Sequence, residues 1–159
     1  MITNAQTILC LDLGAKTGWA IHGTDRHIIS GVMNFHPRYF EVGGMYYLRF
    51  RRCLSEIKQT VGSINAVYFE EVRRHNGTDT AHIYSDLLAI LTAWCEHHKI
   101  PYEGISVSTI KKATTGKGNA SKVKMIKAMY AKGHAPKDDN EADALAILYL
   151  IKEGGTYVQ

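Results

Sequence analysis

The sequence has few cysteines, no long apolar run and no leader-like start, and each lack narrows the class of protein. Only three cysteines occur in 159 residues, Cys10, Cys53 and Cys95, far apart and each within an apolar pattern, with no C-x-x-C pair. A disulfide framework is therefore not expected, and a reducing compartment fits. Cys95 and His98 stand one helical turn apart, but no second ligand pair accompanies them, so zinc is not signalled. The longest uncharged apolar runs, such as "ALAILYLI", fall well short of the roughly 20 residues of a membrane helix. The first residues lack a basic region leading into an apolar core and a small-residue cleavage site, so a soluble, cytoplasmic protein with no membrane partner is expected. Repeats, low-complexity tracts and linkers are also missing, and the length suits one domain over 1–159.

What is present is an ordinary globular composition with its charges sorted by sign. Hydrophobic residues make up 45% and charged residues 21%, with a formal net charge of +4. Acids gather in "FEEV" and "DDNEAD", whereas bases gather in "RFRR" (Arg49, Arg51, Arg52), in "RR" (Arg73, Arg74) and from Lys111 to Lys127. Such sorting suits an anionic partner, although solvated faces would look the same.

Hydrophobic periodicity sets the expected elements. Strands are expected over 7–13, 17–23 and 27–35, joined as a β-meander, and a helix from about Glu41 to Val61 carries Tyr46, Phe50, Leu54, Ile57 and Val61 at helical spacing. "AVYFEEV" reads as a fourth strand with Tyr68 and Glu70 on one face and Val67, Phe69 and Glu71 on the other. A long helix through Tyr84, Leu87, Leu88, Leu91 and Cys95 precedes a fifth strand, "YEGISV". "STIKKATTGKGNASK" reads as a loop feeding a helix with the stripe Val123, Ile126 and Tyr130, and a final helix runs from about Asp139 to Lys152, stopped by Gly154 and Gly155. The expected fold is α/β: a mixed five-stranded sheet, antiparallel meander then parallel strands, flanked by helices.

The acids pose the sharpest question. Asp12 ends the apolar run "ILCLD", where an unpaired buried carboxylate would be costly, and Glu70 ends the fourth strand. On the last helix Asp143 shares a face with Asp139, Asn140, Ala146, Ile147 and Leu150, the face that packs on the sheet, whereas Glu141 falls on the opposite, solvated side. Singly, each acid has a plain explanation as a turn former, a partner of Arg73 or Arg74, or an N-cap. Together they point to one sheet edge, where converging carboxylates repel unless cations sit among them, and hard oxygen donors suit magnesium or manganese. Two such ions can support phosphodiester cleavage.

"TTGKGNASKVK" is not a Walker A sequence. It supplies Lys117 and, in the first turn of a helix, Lys122, whose charge opposes the helix dipole and would be relieved by a bound phosphate. An exposed lysine is the plain alternative.

Four blocks in order, "ILCLDLGAKTGWAI", "AVYFEEV", "IKKATTGKGNASKVKMI" and "DNEADALAILYL", make the chain resemble, over nearly its whole length, the RuvC family of Holliday junction resolvases in the ribonuclease H-like superfamily. The resemblance implies a metal-dependent endonuclease whose acidic residues fall on Asp12, Glu70 and Asp143, using Mg2+, or Mn2+ in its place, with two ions per site. The family's fourth metal position falls on Asn140, so Asn140 or Asp139 completes the set. Lys122 falls on a basic residue near the scissile phosphate, and Lys111 or Lys112 on another. An aromatic position three residues after the glutamate is Arg73 here. Also implied are branched DNA as substrate, a homodimer making paired nicks with 5′-phosphates, and a bacterial, phage or prophage source. Arg49, Arg52, Arg73, Arg74, Lys111, Lys112, Lys117, Lys122 and Lys124 are the expected DNA contacts. Two rivals are a ribosomal-RNA-processing nuclease of the same fold and a junction-binding protein that does not cut. An actin-like ATPase would need two such domains, and this chain is too short.

Overall fold

Strict alternation of side chains builds the centre of the structure. In β1 (Ile8–Asp12) all five residues are buried. Ile8 and Cys10 belong to one core cluster, Leu9 and Leu11 to another. A strand apolar on both faces must lie inside a sheet covered on both sides. The computed structural model of the chain, which describes residues 6–36 and 38–154, shows that arrangement. Five strands run in the order β3-β2-β1-β4-β5, where β2 is Lys16–His22, β3 is Ile28–Asn34, β4 is Ala66–Glu71 and β5 is Tyr102–Ser106. β1, β2 and β3 pair antiparallel; β4 joins β1 in parallel and β5 joins β4 in parallel. The meander followed by parallel strands is the sheet expected from sequence.

Helices cover the two faces separately. α1 (Met45–Val61) and α2 (Thr78–His97) pack on the face of Leu9, Leu11, Val67 and Phe69. Each fully buried leucine there, such as Leu54, Leu87 or Leu91, contributes about 1.5–3 kcal/mol. α3 (Val107–Thr115), α4 (Lys122–Ala131) and α5 (Asp139–Lys152) cover the face of Ile8, Cys10, Ala66 and Tyr68. Cys10, Cys53 and Cys95 are free thiols, and burial pushes the Cys95 thiol up to about 12. No helix among the described residues is long and apolar enough to cross a membrane.

Four expectations need correction. The segment expected to be one loop contains α3: Ser106 caps it by accepting from the Thr109 amide, Ile110 buries, and Gly116 ends it at φ +84°. One buried apolar residue among threonines and lysines leaves little periodicity to read. In α4 the buried pair is Met125 and Met129, while Val123 and Tyr130 are 59% and 56% exposed. The i, i+4 methionines face α5, and the β-branched and aromatic residues face outward. α1 begins at Met45, not Glu41, because Glu41 is used in a side-chain clamp ahead of the helix. Glu141 is buried, not solvated. It accepts from Ser30 Oγ at 2.8 Å and from the Lys137 amide at 2.6 Å, tying the first turn of α5 to β3. Gly154 lies just beyond α5, and Gly155 lies outside the described residues.

α5 is buried nearly all round, from Ala142 through Leu148, because it lies against β1 and β2 and is flanked by α3 and α4. Its start fits only because β2 carries Gly18: a Cβ there would overlap the Asn140 carbonyl and come within 2.8 Å of the Glu141 amide. Gly18 is also the residue opposite Asp12 across the β1–β2 ladder. The helix that bears Asp143 is thus seated directly over the strand end that bears Asp12. Gly18→Ala is expected to destabilise the fold by about 2–4 kcal/mol, as overpacking against backbone does, whereas Gly43→Ala, with nothing within 4 Å, is neutral. Urea unfolding of both variants checks this; equal midpoints would contradict the close seating of α5.

Candidate active site

The pleat aims two acids at α5. Asp12 follows Ile8 and Cys10, and Glu70 follows Ala66 and Tyr68, on the sheet face that α5 covers. The strands are neighbours, paired through Leu11 and Phe69, and the two acids stand one residue beyond that pair. Both strand ends are pinned. Thr17 Oγ1 donates to the Gly14 carbonyl at 2.7 Å, closing the turn after β1. Tyr84 of α2 donates to the Glu70 carbonyl at 2.9 Å and accepts from the Val72 amide at 3.1 Å.

Asp143 arrives from the second turn of α5, whose N-cap, Asp138, accepts from the Glu141 amide at 2.9 Å. One carboxylate oxygen from each of Asp12, Glu70 and Asp143 lies within 4.8 Å of the others. Asp12 and Glu70 are each 8% exposed. Burial first, then the charge of Glu70, pushes the Asp12 carboxyl well above the usual carboxylate range. Burial first, then Glu70 and Asp139, pushes Asp143 up to about 7, against the pull of Lys111 and Lys122. The three acids thus crowd together, and among the described residues no lysine or arginine forms an ion pair with any of them.

Three hard oxygen donors in a desolvated cluster fit a small divalent cation, and the fold with this buried acidic group suggests divalent-metal binding.

The remaining expected residues are distributed unevenly around this cluster. Asp139 is 3.2 Å from Lys122 Nζ, a pair that raises the Lys122 pKa through the hydrogen bond from the lysine. Asn140 donates its amide to Asp138 at 3.2 Å. Asp139 is not one of the three clustered carboxylates, although it is near enough to act electrostatically on both Asp12 and Asp143. Lys111 is half-buried and its charge acts on Asp143, while Lys112, Lys117 and Lys124 are exposed. Arg73 and Arg74 are exposed beside a cavity of about 370 Å³ that Ser106, Ser108 and Gly118 also line; Arg73 pairs loosely with Glu71, at 3.7 Å, and not with Glu70. Arg52 is exposed on α1. Arg49, expected among the DNA contacts, directs its guanidinium to Glu41 and to the carbonyls of Asn34 and His36. Sequence reasoning missed Glu141 and Gly18. A small residue facing a charged helix start was the only available hint of the second, and nothing local marked the first.

The raised carboxyls set the pH response of the metal-free protein. A group whose pKa is higher in the folded state stabilises the fold at low pH and loses that contribution as pH rises through the folded value. In EDTA, the melting temperature should fall as pH rises from about 4, the ordinary carboxyl value, to about 7, the Asp143 value. Asp143→Asn should flatten the fall and raise the midpoint at about pH 8 by several degrees, taking about 2–4 °C per kcal/mol. A pH-independent midpoint in the parent protein would contradict the crowding.

No protein-family model matches the chain, and no curated protein sequence matches it. Solved structures do. The chain is similar to Thermus thermophilus RuvC in complex with a Holliday junction substrate, with a TM-score of 0.71 and 19% identity over 89% of this chain and 90% of that one. It is similar to a second Thermus thermophilus RuvC structure, with a TM-score of 0.69 and 19% identity over 94% and 97%. It is also similar to the yeast mitochondrial Holliday junction resolvase Ydc2, with a TM-score of 0.60 and 15% identity over 92% and 78%. The mixed five-stranded sheet and its flanking helices are therefore those of the RuvC-type, ribonuclease H-like fold.

Proposed function

We propose that the chain is a metal-dependent endodeoxyribonuclease, one nuclease domain over 1–159, that resolves four-way DNA junctions. The observation that carries this reading is the meeting of Asp12, Glu70 and Asp143, from three distant parts of the chain, at one desolvated point. Similarity of fold to RuvC and Ydc2 supports junction resolution over other phosphodiester chemistry.

In this reading Asp12, Glu70 and Asp143 hold Mg2+, or Mn2+ in its place, and Asp139 or Asn140 completes a two-ion site. The ions, when bound, supply Lewis acidity and neutralise charge at the scissile phosphodiester. The chain supplies the rest. Gly18, the Glu141 bonds and the Tyr84 hydroxyl hold the donor carboxylates in place before substrate arrives. Such preorganisation avoids reorganisation cost at the moment of reaction. Lys122, 79% exposed at its side chain and paired with Asp139, is free to turn toward a phosphate and meet negative charge growing on its oxygens. Lys111 adds a second positive charge that acts on Asp143.

Arg52, Arg73, Arg74, Lys112, Lys117 and Lys124 remain exposed for backbone phosphates, so affinity should fall steeply with salt. A homodimer would place two such sites across a two-fold junction and give paired nicks with 5′-phosphates. A non-cutting junction binder is favoured by one observation only, that Asn140 stands where a carboxylate would strengthen the second ion's hold and turns its amide toward Asp138.

The test is cleavage of a synthetic four-way junction with Mg2+ or Mn2+, run beside linear duplex and a precursor-rRNA fragment. Asp12→Asn, Glu70→Gln and Asp143→Asn should each lower the rate by more than the roughly 10–100-fold typical of changes one shell further out, with junction affinity retained. Lys122→Ala should lower it about 100-fold, comparable to losing one stabilising donor at a developing charge. Wild-type rates in any of the three acid variants would overturn the assignment. Tight junction binding with no cutting in either metal would establish the non-cutting reading.

A further inference from the structure

The junction reading leaves unexplained a pair of bare aromatic rings ahead of α1. Tyr39 is 106% exposed and Phe40 79%, on a chain whose other large aromatics mostly reach the core. They are the two central residues of a turn closed by the Glu41 amide donating to the Arg38 carbonyl at 2.9 Å. The turn does not hang free. Arg49, on α1, donates through Nε to Glu41 Oε1 at 2.7 Å and through Nη2 to Oε2 at 3.0 Å, a two-pronged charged pair. The same guanidinium donates to the Asn34 carbonyl at 3.2 Å and the His36 carbonyl at 2.9 Å. Glu41 Oε2 also accepts from the Arg38 amide at 3.0 Å. One arginine and one glutamate, nearly buried at 16% and 7% side-chain exposure, thus tie both ends of the loop to α1. The clamp fixes the turn that carries the two solvent-facing rings.

The position of the turn identifies its occupant. β3 runs parallel to β1, since each is antiparallel to β2, so Asn34 ends at the same sheet edge as Asp12. The ladder pairs Asp12 with Gly18 and Gly18 with Val32, placing Asn34 about 10 Å sideways and about 7 Å outward from Asp12 by ordinary strand spacings. At about 3.4 Å per nucleotide along a strand, the foot of the turn stands a few nucleotides from the strand end that bears Asp12. Cations stand at the turn itself: exposed Lys16 pairs with Asn34 at its foot, and Arg38, its first residue, is 57% exposed at its side chain. Glu41, within the turn, is paired with Arg49, and Asp86 accepts from the Tyr46 and Tyr47 hydroxyls at the start of α1. A second copy of this chain on a two-fold axis would set these cations against themselves. A polyanion with flat π faces meets both the charge and the rings.

We infer that Tyr39 and Phe40 form an aromatic platform that stacks on unpaired or unstacked bases near the branch point, while the acidic cluster engages the backbone a few nucleotides away. The inference rests on the junction reading. Stacking on an aromatic side chain is tolerant of base identity, so the platform selects opened DNA over continuous duplex and adds no sequence preference.

Binding without cleavage tests it, using wild type and Tyr39→Ala/Phe40→Ala in Ca2+ buffer with a four-way junction carrying 2-aminopurine at the crossover and a linear duplex of the same sequence. The double alanine variant should lose about 10-fold or more in junction affinity, the scale of removing base stacking, and should lose the 2-aminopurine response. Its duplex affinity should change less than about threefold, its melting temperature should stay unchanged, and Tyr39→Phe/Phe40→Tyr should restore binding. Retained junction preference and fluorescence response in the alanine variant would overturn the platform alone. A wild type that binds junction and duplex equally would overturn the junction reading and the platform with it. A dimer in wild type that sedimentation shows as monomer in the alanine variant would reassign the rings to a protein interface and overturn the platform as well.

Discussion

Repulsion among Asp12, Glu70 and Asp143 is the constraint around which the rest of the molecule is arranged. Each is drawn from water by its own element, β1, β4 or α5, and their oxygens are brought within 4.8 Å of one another. In a poorly solvated site such an arrangement costs energy in every charged state, and proteins keep such sites where a cation or a reaction needs them. The cost is visible in the raised Asp12 and Asp143 carboxyls. Two fully packed cores, one on each sheet face, supply the stability that makes the crowding tolerable.

The other charged residues divide into braces and free hands. Arg49 and Glu41 brace the turn before α1, and Glu141 braces the start of α5 from beneath; all three are largely buried and satisfied within the chain. Lys112, Lys117, Lys124, Arg52, Arg73 and Arg74 stay exposed. Lys122 stands between the groups, tethered by Asp139 yet solvent-facing. Exposure separates these roles, whereas charge sorting in the sequence had grouped Arg49 with the DNA contacts.

The sheet was legible in the sequence because its signals are local: alternation in "ILCLD" and "AVYFEE", turn residues between the meander strands, and apolar spacing in α1 and α2. The acids were legible because each breaks such a local pattern, Asp12 and Glu70 at strand ends and Asp143 on a helix face turned inward. α3 was missed because one buried residue, Ile110, carries its packing. The buried face of α4 was missed because Val123, Ile126 and Tyr130 outscored Met125 and Met129 in hydrophobic pattern, and only the position of α5 selects the methionines. Glu141 was placed in solvent because helical periodicity assumes a helix with one wet side, and α5 has almost none. The partners that bury it, Ser30 and Lys137, come from a distant strand and the preceding loop.

The most direct measurement of the central claim is anomalous diffraction from crystals soaked in Mn2+, with Asp143→Asn crystals treated alongside. Strong manganese density touching oxygens of Asp12, Glu70 and Asp143 in the parent protein, weakened or lost in the variant, is the expected result. No density among these carboxylates at millimolar Mn2+, or equal density in the variant, would contradict it.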